Sequence, residues 1–494
     1  MKKNTLLILF TVLTAVVVNA PAIAKEGKRP NVVLLLADDL GYGEIQHLNP
    51  TRGKILTPNL DALAQSGMVF TDAHSASAVC TPTRYALLTG RYAWRTRLQK
   101  GVIKGGKSLI SENRLTIAKM MKAQGYHTNL IGKWHLGMLF DGKTDHSHNL
   151  PVGAKVTSGP IDRGGFDAFT GFHHARQMNL LIKDDTIVKK IEPIEMLPII
   201  TKAAVDYIDT RKNNDQPFFL YVPWNSPHSP VAPTAEWQGK SGLNSPHADF
   251  VMQTDDSVGR VIKALKRNGL FENTIIISSA DNGTSTGTSK IDTLMAQGHY
   301  PSGDLRGAKA DIWDGGHRVH FFASWPNVIK PSSVSNELIS LNDIFTTLAD
   351  ILNVQLPDTA AEDSFSFAAI LKDSGSSARK NAIHHSSKGN FAIRQGKWKL
   401  ILASGSAGTT KPKTQVGVKA QLYNMETDKA EQKNLVNEMP EKVQILTKLL
   451  MQQVDAGRST PGSKQENAVP VDIYKLDNEK KKGKNSKKKN KKDK

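Results

Sequence analysis

The sequence predicts an α/β protein, a large sheet covered by helices on both faces and followed by a small α+β unit. Three observations carry this. Short apolar, β-branched runs at Val32–Leu36, Thr128–Ile131, Phe218–Val222 and Ile275–Ser279 read as strands buried on both faces. Segments with helical apolar spacing, Leu60–Ser66, Leu115–Gln124 and Val258–Asn268, occur in the same stretch of chain, and such alternation is what a doubly covered sheet requires. After about Asp373 the texture changes. Phe391–Leu402 alternates as an antiparallel strand pair around Gln395-Gly396, and Glu438–Gln453 returns to a helical period.

The 494 residues suffice for one large domain and a small one. With 39% hydrophobic and 22% charged residues, the balance is globular and excludes disordered, collagen-like and coiled-coil chains. A single cysteine, Cys80, excludes a disulfide framework and any zinc site built on several thiolates. A net charge of +19 favours anionic partners.

Lys2 and Lys3, the apolar run Thr5–Val18 and the Ala22-Ile23-Ala24 site read as a signal peptide over residues 1–24, which places the mature chain in the periplasm or outside the cell. That run is short for a membrane span and no later stretch reaches about 20 apolar residues, so no transmembrane segment is expected. Residues 25–373 form the expected large domain and 374–465 the small α+β domain. Residues 466–494 are an expected disordered, Lys-rich tail, in which ten lysines from Lys480 to Lys494 face one acid, Asp493. The tail is either a solvated segment or a contact for a polyanion; no specific nucleic-acid partner is expected.

Each predicted strand runs into a polar cluster: Asp38-Asp39, Lys133-Trp134-His135, His228, and Asp281-Asn282-Gly283. In open α/β sheets ligands bind beyond the carboxyl ends of strands, so parallel strands would bring all four clusters to one rim. Asp38, Asp39, Asp281 and Asn282 form an all-oxygen set suited to calcium or magnesium rather than zinc or copper. Pro82 opens a helix that continues through Arg84 to Leu88, which puts Cys80 at or just before its N-terminus, where the dipole favours negative charge.

Cys80-Thr81-Pro82-Thr83-Arg84, followed by Leu88-Thr89-Gly90-Arg91, resembles the motif of the type I sulfatases, formylglycine-dependent members of the alkaline phosphatase superfamily. The blocks Asn31–Gly43, Gly132–Gly137, Asn225–Pro230, Ser279–Gly283 and Gly303–Val319 extend the resemblance from about Pro30 to Gly457. It implies an alkaline-phosphatase-like mixed sheet and hydrolysis of sulfate esters with release of inorganic sulfate. It also implies a Cys80 converted to formylglycine by a separate formylglycine-generating or sulfatase-maturing enzyme. One calcium ion would be held by Asp38, Asp39, Asp281, Asn282 and an oxygen of the modified Cys80. Arg84 would favour the deprotonated gem-diol, Lys133 would bind sulfate oxygens, and His228 and Lys309 would serve the leaving alcohol. His135 would take the proton that lets sulfate depart.

Three departures stand out. Asp314 and His320 occupy places where relatives carry glutamate and proline, and neither is expected to touch the chemistry. Gly171–Gln177 lacks the serine that many relatives use to hold sulfate. His173, His174 and Arg176 in that stretch, with His299 and Arg306, are candidates for contacting sulfate or sugar. The basic body points to a polyanionic glycan such as carrageenan, ulvan or a glycosaminoglycan. The alternatives are a phosphate or phosphonate ester hydrolase of the same superfamily and a non-enzymatic polyanion-binding protein.

Overall fold

A computed structural model describes residues 28–141, 150–373, 375–414 and 417–475. The proposed signal peptide and residues 476–494 of the expected tail lie outside them; residues 466–475, expected to be disordered, instead pack on the body, where the Ala468 N–H donates to the Arg95 carbonyl at 2.7 Å and Ile473 is buried in the apolar cluster of the small sheet. Asn31–Asp38 (β1) is buried at every position, as its apolar run requires of a strand covered on both faces. Chain order continues with Pro58–Gln65 (α1), Met68–Phe70 (β2), Cys80–Thr89 (α2), Ile117–Ala123 (α3), His127–Lys133 (β3), Ala168–Phe172 (β4), Leu180–Lys183 (β5), Thr186–Lys190 (β6), Pro193–Asp209 (α4) and Phe218–Pro227 (β7). Pro246–Arg267 (α5), Thr274–Ala280 (β8), Phe321–Ser324 (β9), Ser333–Ser335 (β10) and Asp343–Ile351 (α6) complete the large body.

Among the described residues the main sheet has ten strands in the order β10-β2-β9-β8-β1-β7-β3-β4-β5-β6. The central five, β8-β1-β7-β3-β4, are all parallel, with Leu34 opposite both Tyr221 and Ile277. The outer strands β9, β5 and β6 join antiparallel, which makes the sheet mixed. Helices α1, α4 and α5 pack together as one group, and α2 contacts α3 and α6 as another.

The helices start where their caps dictate. Thr116 accepts the Lys119 N–H and opens α3, two residues later than the apolar spacing predicts. Ser245 accepts the Ala248 N–H and Pro246 takes the first turn, so α5 begins twelve residues before the predicted Val258. Its first half was masked in the sequence because His247, Asp249, Gln253 and Asp255 are buried there and break the apolar period.

Asn381–His385 (β11), Phe391–Gln395 (β12), Trp398–Ile401 (β13) and Gln421–Asn424 (β14) form a separate antiparallel sheet, on which Pro440–Asp455 (α7) packs. Gly396, at φ +53°, makes the tight turn between the paired Gln395 and Trp398. Ile393, Leu400, Leu422, Leu446 and Leu450 share one apolar cluster with Ala76, Ala86, Tyr92 and Trp94 around α2. The small sheet therefore braces the segment that carries Cys80. No helix among the described residues is long and apolar enough to cross a membrane.

Candidate active site

Because β8, β1, β7 and β3 are parallel, their carboxyl ends lie on one edge, and the polar clusters that follow them meet there. The β1–β7 register slips between Leu36 and Asp38, and Asp39 follows at φ +68°, a conformation that costs energy in a non-glycine residue. His135 after β3 has φ +58°, held by the Thr81 hydroxyl on its carbonyl. Cys80 is the first residue of α2, as the position of Pro82 predicts.

The Cys80 Sγ lies 3.6 Å from Asp38 Oδ1 and 4.0 Å from Asp39 Oδ1. Lys133 Nζ is 2.5 Å from Asp38 Oδ2, and Lys309 Nζ is 2.5 Å from Asp39 Oδ1. Arg84 donates to Asp281 Oδ2 from Nε at 3.0 Å and Nη2 at 2.7 Å, and to the Lys133 carbonyl at 3.1 Å. Asn282 Nδ2 donates to Asp39 Oδ1 at 2.8 Å, and His228 Nε2 stands 3.7 Å from Asp39 Oδ2. Three carboxylates thus face three cations in a buried setting.

The electrostatics follow from burial and these pairings. Burial alone would raise Asp38, but Lys133, with His228, Arg84 and Lys309, outweighs it and holds the carboxyl well below its usual range. Asp39 is lowered the same way, against burial, chiefly by Lys309. Asp281 goes the other way, to about 6, because burial and the negative charge of Asp38 prevail over Arg84 and Lys133. Burial, then the charge of Asp281, pushes the Cys80 thiol up despite the lysines. As a thiol it stays protonated, which makes it a poor nucleophile and a poor ligand.

The donor set fits a hard cation. Oxygens of Asp38 and Asp39 lie within 4.8 Å of one another and of Cys80 Sγ and a His228 nitrogen. Asn282 Oδ1 is buried without a hydrogen-bond partner among the described residues, as a waiting ligand atom would be. A divalent ion added to balanced charges leaves the site positive, which suits an anionic substrate. A second buried group, His74, His317 and His384, fits a metal poorly. His317 and His384 stack at 4.0 Å and 11°, so their in-plane lone pairs cannot meet at one ion, and the Lys399 ammonium lies 3.2 Å from His317.

The remaining predicted residues divide. Backbone bonds from Trp134 and His135 to the Phe172 and His173 carbonyls carry the β3–β4 pairing past the strand ends. They set the His174 ring 5.8 Å from that of His135, with His173 at 6.4 Å. The side chain of Arg176 lies outside what the structure describes. His299 and Arg306 are not brought to the cluster, contrary to the expectation that they border it. His299 is fully buried and accepts the Lys54 N–H, because its segment folds back on Glu44 and His247. Arg306 stacks on Trp313 at 3.7 Å and donates to the Glu431 carbonyl, tying the main body to the small sheet.

Asp314 and His320 stay clear of the chemistry, as expected: Asp314 accepts from Lys399 at 2.7 Å, and His320 meets the Ser278 hydroxyl at 3.1 Å. Sequence reasoning assigned no role to Asn225, whose amide is buried near the end of β7 with neither polar atom bonded among the described residues. The signal was present, since Asn225 opens the block that contains His228.

The sulfatase family model matches residues 30–354. An N-acetylgalactosamine-6-O-sulfatase of Bacteroides thetaiotaomicron is 31% identical, over 86% of this chain and 93% of that protein. Human arylsulfatase A is 32% identical, over 86% and 88%. A solved structure from a study of glycosaminoglycan metabolism by Bacteroides thetaiotaomicron superposes with a TM-score of 0.78 at 27% identity, covering 86% of this chain and 99% of that one. Likeness of this extent, on a sheet that gathers the motif residues at one edge, makes the chain a member of the sulfatase family in the alkaline phosphatase superfamily, and so a sulfuric ester hydrolase.

Proposed function

We propose that this protein removes sulfate from sulfated glycans, with Cys80 carried as formylglycine and one calcium ion held by Asp38, Asp39, Asp281 and Asn282. The observation that carries the reading is the setting of Cys80. Its side chain is buried at a helix N-terminus between two carboxylates and within a ring of three cations, while the thiol itself is unreactive there. Hydrated formylglycine at this position supplies an oxygen nucleophile, and calcium supplies Lewis acidity.

The chain's own residues then have defined tasks. Arg84, fixed by Asp281, would favour the deprotonated form of the hydrated group at Cys80, and Lys133 would present positive charge to the sulfate oxygens, in a site dry enough for that charge to count. His228 and Lys309 are the members that solvent reaches, each with a side chain 17% exposed, so the ester's alcohol leaves on their side and draws its proton there. His135 faces the Ile103 carbonyl through Nε2 at 3.0 Å. A carbonyl only accepts, so the proton sits on Nε2 and Nδ1 keeps a lone pair, which makes Nδ1 the proton acceptor of the inner site.

The glycan assignment draws support from the relatives' names and from the net charge of +19. Export to the periplasm or beyond, and modification in trans by a maturing enzyme, belong to the same proposal. The test has two parts. The mass of the Cys80 peptide from the native host is expected to report an aldehyde in place of the thiol. Purified protein is expected to release inorganic sulfate from sulfated glycosaminoglycan or carrageenan oligosaccharides and no phosphate from the matching phosphate esters. An unmodified thiol throughout, or phosphate release alone, would overturn the reading.

A further inference from the structure

Next to the cluster, and lined by none of its residues, is a cavity of about 570 Å³. That size falls among small-molecule sites, roughly 300–1,000 Å³. Gly307 and Ala308, which lead directly into Lys309, form one wall, and Met295, Tyr300 and Leu305 line it with apolar surface. Thr409, Thr410 and Lys411 reach it from the connection between β13 and β14 in the small sheet.

That connection is pinned to the catalytic rim. The Thr409 hydroxyl donates to the Lys309 carbonyl at 3.2 Å, and the N–H groups of Thr409 and Thr410 donate to Asp311 Oδ1 at 2.7 and 3.1 Å. The Lys309 N–H in turn donates to the Thr284 carbonyl at 2.8 Å, just beyond Asn282. The backbone that presents the Lys309 ammonium to Asp39 is thus the edge of the cavity. Adjacent Cα atoms are about 3.8 Å apart, so Ala308 brings the cavity within a residue's length of Lys309.

We propose that this cavity is the subsite for the sugar next to the sulfated one, and that Lys411 there pairs with an acidic group on that sugar, a carboxylate or a second sulfate. The proposal rests on the glycan sulfatase reading and deepens it. Three features fit such an occupant. The apolar wall suits the C–H face of a pyranose, and the Thr410 hydroxyl is buried with no partner among the described residues. Lys411 is exposed and makes no ion pair among the described residues. Asp292 is the other charged lining residue, and its repulsion directs an acidic group to the Lys411 side. The small sheet then has a part in recognition as well as in bracing α2.

Lys411→Ala and Met295→Trp test this; Met295 is 40% exposed, so a larger side chain there fills the cavity without disturbing the core. Both variants are compared with the wild type on 4-nitrophenyl sulfate and on chondroitin 6-sulfate and ι-carrageenan oligosaccharides. For Lys411→Ala, KM on the oligosaccharide is expected to rise about twofold to fivefold with kcat unchanged, the worth of one exposed ion pair. Met295→Trp is expected to abolish oligosaccharide turnover, and both variants to keep wild-type rates on 4-nitrophenyl sulfate. Equal losses on short and long substrates, or unchanged kinetics on all of them, would overturn the subsite. A wild type that hydrolyses 4-nitrophenyl sulfate and no oligosaccharide would instead overturn the glycan reading beneath it.

Discussion

Lys309 and His228 are where single residues meet the reaction most openly, since Asp38, Asp39 and Lys133 around them are about 1% exposed. Their position at the accessible edge makes the leaving group the right probe. Lys309→Ala and His228→Ala are each expected to slow sulfate release from sugar esters by about 10²- to 10⁴-fold. The same variants should lose much less on 4-nitrophenyl sulfate, whose phenolate departs with little help, and paired kcat measurements on the two esters check this. Cys80→Ser should remove the modifiable thiol and lower turnover by at least about a thousandfold while leaving the far-ultraviolet circular dichroism unchanged. Cys80 was legible in the sequence because its motif is local. His299 and Arg306 were not placed correctly, because their partners Lys54 and Glu431 lie over a hundred residues away in the chain.

Two devices between elements are testable. Asp255 on α5 accepts the N–H groups of Asn59 and Leu60 and so caps α1 from outside. Burial raises its carboxyl to about 6, more than these hydrogen bonds lower it. The folded state then holds a proton that the unfolded chain has released. The group's stabilising contribution is therefore present below about pH 4 and is lost as pH rises through about 6. Subtracting the pH profile of thermal midpoints of Asp255→Asn from that of the wild type should isolate this falling slope; a flat difference would contradict it. The second device is the seam between the two sheets, where Lys399 lies 2.7 Å from Asp314 and 2.8 Å from Glu431, all buried. Lys399→Ala leaves buried Glu431 without its cation and Asp314 with Arg318 alone at 3.3 Å, a change expected to cost about 3–5 kcal/mol. Urea denaturation of the variant checks it. The central strands β1, β3, β7 and β8 were read from their contiguous apolar runs; α4 and α6 were not, although their buried positions keep a helical period. The front half of α5 was not, because its buried side chains are polar and satisfied by distant partners such as Glu44, which His247 meets at 2.5 Å.

At the scale of the whole molecule, the cluster is a charge-balanced core into which a divalent cation would bring the decisive excess. Calcium is expected to bind the folded state and to raise its stability by about 3 kcal/mol at a hundredfold excess over Kd. Thermal melts with calcium and with a chelator check this, and identical midpoints would argue against the site. The small sheet belongs to this balance too: its apolar face packs on α2, and its β13–β14 connection closes one side of the proposed sugar subsite.

The sequence by itself determined four central strands of the sheet, the polar clusters that follow them, the all-oxygen character of Asp38, Asp39, Asp281 and Asn282, and the resemblance to the sulfatases, because each rests on a local run or motif of contiguous residues, whereas the parallel pairing that makes the clusters converge was decided by the structure. Only the tertiary structure decided which cation pairs with which carboxylate, that His173 and His174 stand beside His135, and that His299 and Arg306 serve packing and the seam. It alone placed the small sheet against α2. The physical reason is the same throughout: hydrogen bonds and ion pairs between groups far apart in the chain depend on how strands and loops are stacked in space, and no local pattern encodes their register.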